Sequence, residues 1–219
     1  MKFGVIVFPG SNCDNDAFNL LKNVLNVSVK FIWHKETNLS NVDALVIPGG
    51  FSYGDYLRAG AIARFSPIMN EVVKHGEKGM PIIGICNGFQ ILTESDLLPG
   101  TLMVNKTVKF ISKNVKLRTI TNSSIFTKNL KVNEMINMPI AHKQGNYNAK
   151  DYIIKSLIDN DQIAFKYDEN PNGSIDNIAG ILNKQRNVLG MMPHPERASE
   201  SILGSKTGIK IFESLIGSL

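Results

Sequence analysis

Short apolar runs alternate with amphipathic segments along this chain. Six runs have the length and composition of β-strands, at residues 3–8, 29–33, 44–47, 81–85, 178–182 and 188–192. Helical patterns occupy residues 17–25, 61–74 and 208–219. Because several runs are apolar at nearly every position, we expect strands that are buried on both faces. The alternation predicts an α/β fold with a mostly parallel, doubly wound sheet and helices on both faces.

Residues 101–131 interrupt this alternation. The segment is rich in Val, Ile, Thr and Lys, and it predicts a small β-hairpin excursion from the main sheet. The sequence contains no linker-like tract and no internal repeat. We therefore expect one domain over residues 1–219, a length that allows a substantial core.

The most informative local pattern is Gly84-Ile85-Cys86-Asn87-Gly88. It has the form Gly-x-Cys-x-Gly, which is a nucleophile elbow with sulfur in place of oxygen. The two glycines remove side chains that would crowd such a turn. A helix that begins at Asn87 would point its N-terminus at Cys86 and stabilise a thiolate. A buried structural cysteine is the alternative that this motif alone leaves open.

A thiolate that attacks carbonyl carbons needs an imidazole to move protons. Among the four histidines, His34 is expected in a loop after a strand, and His75 at a polar helix end. His142 lies in a loop and is a weak binding candidate. His194 lies in a segment of a different kind, between two prolines.

The prolines around His194 favour an extended backbone, in which residues two apart project to the same side. Glu196 would therefore lie beside His194 and hydrogen-bond one ring nitrogen. The other ring nitrogen would be left for Cys86. Taken alone, the segment is equally well read as a proline-rich turn with a solvated histidine and glutamate.

Acyl transfer also needs hydrogen-bond donors for the developing oxyanion. One candidate is the backbone N–H of Asn87, directly after the proposed nucleophile. The other is expected in the glycine-rich loop after the run at 44–47, where N–H groups can face a ligand. We expect this donor near Gly50 and Phe51. A plain glycine turn is the alternative for this loop.

Together these segments resemble the class I glutamine amidotransferases, which have a flavodoxin-like fold. The chain is similar in particular to the glutaminase subunits of phosphoribosylformylglycinamidine synthases. The matching blocks are residues 8–14 (FPGSNCD), 49–60 (GGFSYGDYLRAG), 86–90 (CNGFQ), 171–174 (PNGS) and 191–197 (MMPHPER). They follow the family's order over nearly the whole chain.

The resemblance implies roles for eight residues. These are catalysis by Cys86, His194 and Glu196, oxyanion binding by the backbone of Gly50, Phe51 and Asn87, and substrate contact by Gln90 and Gly49. A solvent-facing helical glutamine is the alternative for Gln90. One block departs from the family pattern, because His142-Lys143-Gln144-Gly145 stands where His-Gly-Glu-Gly is usual. The contacts of that loop are therefore expected to differ here.

The resemblance also implies L-glutamine as the substrate and a synthetase subunit as the partner, with a small third subunit in the same complex. The synthetase would use ATP and magnesium to convert formylglycinamide ribonucleotide to its amidine in purine synthesis. This chain has no Gly-x-x-x-x-Gly-Lys-Ser/Thr phosphate loop. We therefore expect no cofactor and no metal on this chain, and both ATP and magnesium on the partner.

Composition limits the classes of further partner and the location that we expect. The chain has 24 Lys and Arg against 19 Asp and Glu, and its net charge of +5 is scattered, so nucleic-acid binding is not expected. No apolar run is long enough for a membrane span, and no signal-peptide layout is present, so a cytoplasmic location is expected. The two cysteines form no Cys-x-x-Cys pair, which argues against zinc. Cys13 is expected to have a structural or subunit-contact role.

Two competing functions remain at this stage. A cysteine peptidase or stress-response protein could have a similar elbow, but it would not need Gln90 or the His194–Glu196 pair. A non-catalytic binding subunit could contain the three residues incidentally. Labelling of Cys86 by a glutamine-like alkylator, and an activity assay with the partner, would separate these alternatives.

Overall fold

The computed structural model describes all 219 residues, which form a nine-stranded sheet, a two-stranded sheet and five α-helices. The strands are β1 (Lys2–Val7), β2 (Ser28–Trp33), β3 (Ala44–Ile47), β4 (Ile82–Ile85), β5 (Thr101–Met103), β6 (Ile111–Thr119), β7 (Met135–His142), β8 (Asn146–Asn148), β9 (Ile163–Tyr167), β10 (Ile178–Leu182) and β11 (Val188–Met191). The helices are α1 (Asp14–Asn19), α2 (Pro67–Glu77), α3 (Asn87–Glu94), α4 (Asp151–Asp159) and α5 (Ile209–Ile216).

The large sheet has the strand order β2-β1-β3-β4-β11-β10-β9-β6-β7. Neighbours from β2 to β11 pair in parallel, and neighbours from β11 to β7 pair antiparallel. The predicted α/β class is confirmed, but the sheet is mixed, since only one half of it is parallel. The carboxyl ends of the parallel strands define the edge where ligands of such sheets bind.

The central strands are buried on both sides. Every residue of β3, β4, β10 and β11 is buried. Because successive side chains of a strand point to opposite faces, both faces must be covered. All six apolar runs of the sequence are strands in the structure, within one residue at each end.

Two predicted helices have different boundaries. Residues 61–74 do not form one helix, because Ser66 is extended before Pro67, and α2 begins at that proline. Residues 17–25 are divided between α1 and a π-helical turn over Leu20–Val24. None of the helices combines the length and the apolar character needed to cross a bilayer.

The predicted hairpin excursion over residues 101–131 is wrong in its pairing. Strand β5 pairs with β8 in the separate small sheet, whereas β6 forms a hairpin with β7 and joins the large sheet through β9. The partners of β5 and β6 all lie beyond residue 131, so the composition of that segment could not reveal them. Strands β7, β8 and β9 are not among the predicted strands.

Candidate active site

Cys86 lies at a sharp turn between β4 and α3, with φ 51° and ψ −105°, a strained conformation for a non-glycine residue. A β-carbon on Gly84 would lie 2.4 Å from the Leu92 side chain, and one on Gly88 would lie 1.9 Å from the Ile47 carbonyl oxygen. No other residue fits at either position without a shift. The elbow predicted from the two glycines is therefore present, with the thiol at its apex.

His194 and Glu196 form a buried pair just after β11. The ring nitrogen Nδ1 of His194 lies 2.6 Å from Oε1 of Glu196, and both side chains are 1% exposed. Because a carboxylate only accepts hydrogen bonds, Nδ1 carries the proton. The other ring nitrogen, Nε2, is buried and has no hydrogen-bond partner. The pair thus leaves Nε2 available for proton transfer.

The elbow and the pair meet at Gly49, in the loop after β3. A β-carbon on Gly49 would lie 2.8 Å from Cε1 of His194 and 3.4 Å from Cβ of Cys86. The Cys86 thiol lies 3.7 Å from the carbonyl oxygen of Ala141, near the end of β7. The three residues predicted to be catalytic are therefore gathered at one point, although they lie far apart in the sequence.

Two groups beside Cys86, the His194 ring and the Cys13 thiol, have shifted pKa values. Burial lowers the pKa of His194. The negative charges of Glu196 and of the Cys86 sulfur raise it by more than burial lowers it, so the pKa of His194 lies above its ordinary value. Burial, together with the charge of Glu196, raises the pKa of the Cys13 thiol to about 12. Cys13 is thus a protonated thiol at neutral pH, which makes it a poor nucleophile.

A cavity of about 190 Å³ opens above Cys86. Its other lining residues come from five separate segments of the chain, and they are Asn12, Cys13, Gly50, Phe51, Phe110, Ala141, His194 and Arg197. Sequence reasoning missed Ala141 and Phe110, which carry no motif. Gln90 does not line this cavity.

Comparison with known proteins agrees with this geometry. Residues 1–211 match the family described as the CobB/CobQ-like glutamine amidotransferase domain. The chain belongs to this family. It is 41% identical to a chain in the structure of PurLQS from Thermotoga maritima, with a TM-score of 0.92, and the match covers 99% of this chain and 98% of that one. The resemblance found in the sequence motifs is thereby confirmed.

More distant structures share the fold of this amidotransferase. The glutaminase domain of CTPS from Trypanosoma brucei, which has acivicin bound, is 13% identical with a TM-score of 0.62, covering 99% of this chain and 94% of that one. A glutamine amidotransferase from Thermotoga maritima is 15% identical with a TM-score of 0.57, covering 98% of this chain and 89% of that one. These likenesses concern the fold alone.

The backbone donors of the amidotransferase differ from expectation at one position. The N–H of Phe51 donates to the carbonyl oxygen of Gly10 at 3.1 Å, so it is not free for an oxyanion. The N–H of Gly50 has no acceptor, and the φ of +131° at Gly50 is one that glycine tolerates. The N–H of Asn87 is the first of α3, so it has no partner inside the helix. Gly50 and Asn87 are therefore the available pair.

The side chain of Gln90 is held by the protein. It is 5% exposed, its oxygen accepts from Nδ2 of Asn87 at 2.8 Å, and its nitrogen donates to the carbonyl oxygen of Gln144. A contact between Gln90 and the substrate therefore stays a prediction that requires the exchange of one of these bonds. In the structure, Gln90 joins α3 to the loop after β7.

The side chain of Asn87 joins the elbow to the loop after β3. Its oxygen accepts from the backbone N–H of Ser52 at 3.1 Å, and its nitrogen lies 3.4 Å from Oδ1 of Asp55. Arg58 adds a bidentate ion pair with Glu94 at the end of α3, at 2.6 and 2.7 Å. These contacts fix the loop that carries Gly50 against the helix that carries the other donor.

Replacing Asn87 with alanine is expected to lower both stability and turnover, although the backbone donor remains. The buried N–H of Ser52 would lose its acceptor, which costs about 1–3 kcal/mol of unfolding free energy. Misplacement of the loop is expected to lower kcat on the order of tenfold to a hundredfold. Denaturant titration and glutamate release would measure both. Asn23→Ala, which removes an exposed amide, is the control. Equal values for the two variants would contradict this role.

Two buried residues hydrogen-bond the loop at residues 142–145, where the sequence departs from the family pattern. The Asn172 amide and the Ser174 hydroxyl both donate to the carbonyl oxygen of Gly145, at 2.8 and 3.3 Å. The side-chain oxygen of Gln144 accepts from the N–H of Ala59 at 3.2 Å. The amide that replaces the usual glutamate thus contacts the loop after β3.

His142 is buried beside this site and is neutral. Burial, aided by the charge of His194, lowers the pKa of His142 to about 4, and its Nδ1 lies 3.0 Å from the side-chain oxygen of Asn105. In the unfolded chain the pKa returns to 6.5. Between those two values the unfolded state binds the extra proton, so acid favours unfolding.

We therefore expect the free energy of unfolding to fall by up to about 3 kcal/mol as the pH drops from about 6.5 to about 4, through His142 alone. His142→Gln removes this group, and its unfolding free energy should fall less over the same range. Denaturant titrations at several pH values, with His75→Gln on α2 as the control, would measure the difference. An identical pH dependence in wild type and His142→Gln would contradict the buried neutral state.

Proposed function

We propose that this chain hydrolyses L-glutamine to glutamate and ammonia through Cys86, His194 and Glu196. The observation that carries the proposal is the meeting of the elbow thiol and the buried His194–Glu196 pair at Gly49. Membership of a glutamine amidotransferase family supports glutamine as the substrate.

The Cys86 thiol gives its proton to Nε2 of His194, and in the first half-reaction the resulting thiolate attacks the side-chain amide carbon of glutamine. The N–H groups of Gly50 and Asn87 bind the oxyanion that develops. The intermediate collapses as the carbon–nitrogen bond breaks, and His194 gives its proton to the leaving ammonia. A glutamyl thioester on Cys86 is the product.

In the second half-reaction, water attacks the thioester carbon. His194 takes the proton of the water, and the same two N–H groups bind the second oxyanion. The carbon–sulfur bond then breaks, and the proton returns to the sulfur of Cys86. Glu196 keeps the ring oriented and stabilises its positive charge, without taking up the proton itself.

We further propose that the ammonia passes to a synthetase subunit, which converts formylglycinamide ribonucleotide to its amidine with ATP and magnesium. Identity of 41% with a chain of PurLQS over nearly the whole length supports this partner and a small third subunit. The loop that carries Gly50 also has three strongly exposed apolar side chains, Tyr56, Leu57 and Phe65. Such a patch is typical of a surface that another protein covers.

The test is reconstitution with the synthetase subunit. The complex should form the amidine from either glutamine or ammonium, whereas the synthetase alone should accept only ammonium. The complex with Cys86→Ala should lose the glutamine-dependent reaction and keep the ammonium-dependent one. Glutamine hydrolysis without any transfer to the synthetase would overturn the partner but not the glutaminase. Absence of hydrolysis in the intact complex would overturn both.

A further inference from the structure

The loop between β5 and β6, residues 104–110, exposes both apolar and basic side chains. Three of its apolar side chains are 41–66% exposed, and they are Val104, Val108 and Phe110. Lys106 and Lys109 are exposed between them. We propose that this loop is a docking surface for an acidic, partly apolar face of the synthetase subunit. The inference rests on the proposed function, because it identifies the surface that the proposed partner covers.

Acidic residues are absent from the segment that includes this loop. Lys and Arg are spread along the whole chain, but residues 97–133 contain seven of them and no Asp or Glu. Lys143, whose carbonyl oxygen accepts from the N–H of Asn105, adds another exposed cation beside the loop. None of Lys106, Lys109 and Lys143 forms an ion pair. Such a surface attracts an acidic partner over distances of about 10 Å at 0.1 M salt.

Buried contacts hold the loop in a fixed shape. The side-chain nitrogen of Asn105, a residue that is 1% exposed, donates to the carbonyl oxygen of Lys109 at 2.9 Å. The N–H of Lys106 donates to the carbonyl oxygen of Asn172 at 2.8 Å. Val108 has a φ of 61°, a left-handed conformation that is strained for a β-branched residue. Strain of this kind is concentrated at functional sites, and a preformed loop loses little conformational freedom when a partner binds it.

The position of the loop beside the catalytic cavity points to the partner. Phe110 lines the cavity above Cys86, and its ring lies 6.5 Å from the ring of Phe51, which lines the same cavity. Both rings are nearly half exposed, so they border the opening of the cavity. In the proposed reaction, ammonia is released into this cavity. A protein that receives the ammonia must cover the opening, and it would then contact the loop.

The two kinds of side chain should have separable effects on binding. The lysines act before contact, so they should raise the association rate and lose this effect at high salt. Val108 makes its contacts only in the complex, so it should slow dissociation. Apolar side chains between the lysines favour a protein as the partner over a nucleic acid, whose backbone is bound mainly by basic and polar groups.

The test measures binding of this chain to the immobilised synthetase subunit, with the third subunit present, at about 50 mM and about 500 mM NaCl. Lys106→Glu/Lys109→Glu should associate at least about tenfold more slowly than wild type at the lower salt, and the difference should shrink at the higher salt. The matched control is Lys78→Glu/Lys184→Glu, which makes the same change in charge. Its two lysines are exposed and precede β4 and β11, at the end of the sheet opposite to Cys86. The control should associate as wild type does.

A second variant separates the contact from folding. Asparagine tolerates the left-handed conformation, so free Val108→Asn should unfold at the same temperature as wild type or at a higher one. Its dissociation from the synthetase should nevertheless be at least about fivefold faster. A residue with a purely structural role would not show this combination.

Each other outcome overturns the docking surface. Equal association rates for the two charge variants would overturn it and leave the glutaminase and its partner unaffected. If the synthetase ignored the change at Lys106 and Lys109 while a fluorescent single-stranded RNA bound wild type and not this variant, the loop would be a nucleic-acid site instead. Failure of wild type to bind the synthetase would overturn the proposed partner as well. Labelling of Cys86 by a glutamine-like alkylator, at the wild-type rate in every free variant, would show that the catalytic site is intact.

Discussion

Replacing Cys86 with alanine is expected to reduce glutamine hydrolysis by at least about 10⁴-fold, because no thioester can form without its sulfur. The fold should be retained, since the residue keeps its β-carbon and only the thiol at the apex is lost. Glutamate release by the complex, measured at saturating glutamine, would give the loss in kcat. Thermal unfolding of the variant would show whether the elbow is intact.

The matched control is Cys13→Ser, which changes the other thiol in the same cavity. Its turnover should stay close to that of wild type, since the proposed reaction has no step at Cys13. Loss of turnover in Cys13→Ser with retention in Cys86→Ala would reverse the assignment of the nucleophile.

Replacing Gly88 with alanine is expected to destabilise the protein by at least about 3 kcal/mol, because a well-packed helix would have to move away from the sheet. The added β-carbon would lie 1.9 Å from the carbonyl oxygen of Ile47, which is backbone and cannot rotate away. Moving α3 would also displace Cys86 and the N–H of Asn87. Denaturant titration should show the loss of stability, and glutamate release should fall with it.

Gly79→Ala is the control for the general effect of losing a glycine. Gly79 has a φ of +96°, but no atom lies within 4 Å of the added carbon. Its cost should therefore be backbone strain alone, about 1–2 kcal/mol, with turnover unchanged. If Gly88→Ala cost no more than Gly79→Ala, the close approach of α3 and β3 at the elbow would be contradicted.

The central strands could be predicted from the sequence because burial on both faces makes each one a continuous apolar run. Strands β6 and β7 are half exposed, and the partners of β6, which are β7 and β9, lie beyond the region where the pattern placed a hairpin. Their partners depend on tertiary contacts that local composition does not record. Pro67 disfavours a helical backbone at Ser66, so a helix boundary there could be predicted from the sequence. The amphipathic pattern continues on both sides of Pro67, and it therefore favoured a single helix over residues 61–74.

The geometry of the site could be predicted from the sequence where backbone constraints act over two to four residues. The elbow around Cys86 and the pairing of His194 with Glu196 are of this kind. The contacts of Phe51 and Gln90 could not be predicted in this way. Phe51 donates a hydrogen bond to Gly10 and Gln90 donates one to Gln144, and both acceptors are distant in the sequence. The proximity of Cys13 to His194 likewise depends on strand order.

The account rests on the claim that Cys86 is the sulfur that glutamine reaches. Mass spectrometry after treatment with a glutamine-like alkylator tests it directly, with wild type and His194→Ala compared. We predict one adduct, on Cys86, that excess glutamine prevents and that forms more slowly in His194→Ala. An adduct on Cys13, or labelling of Cys86 that glutamine does not slow, would contradict the account.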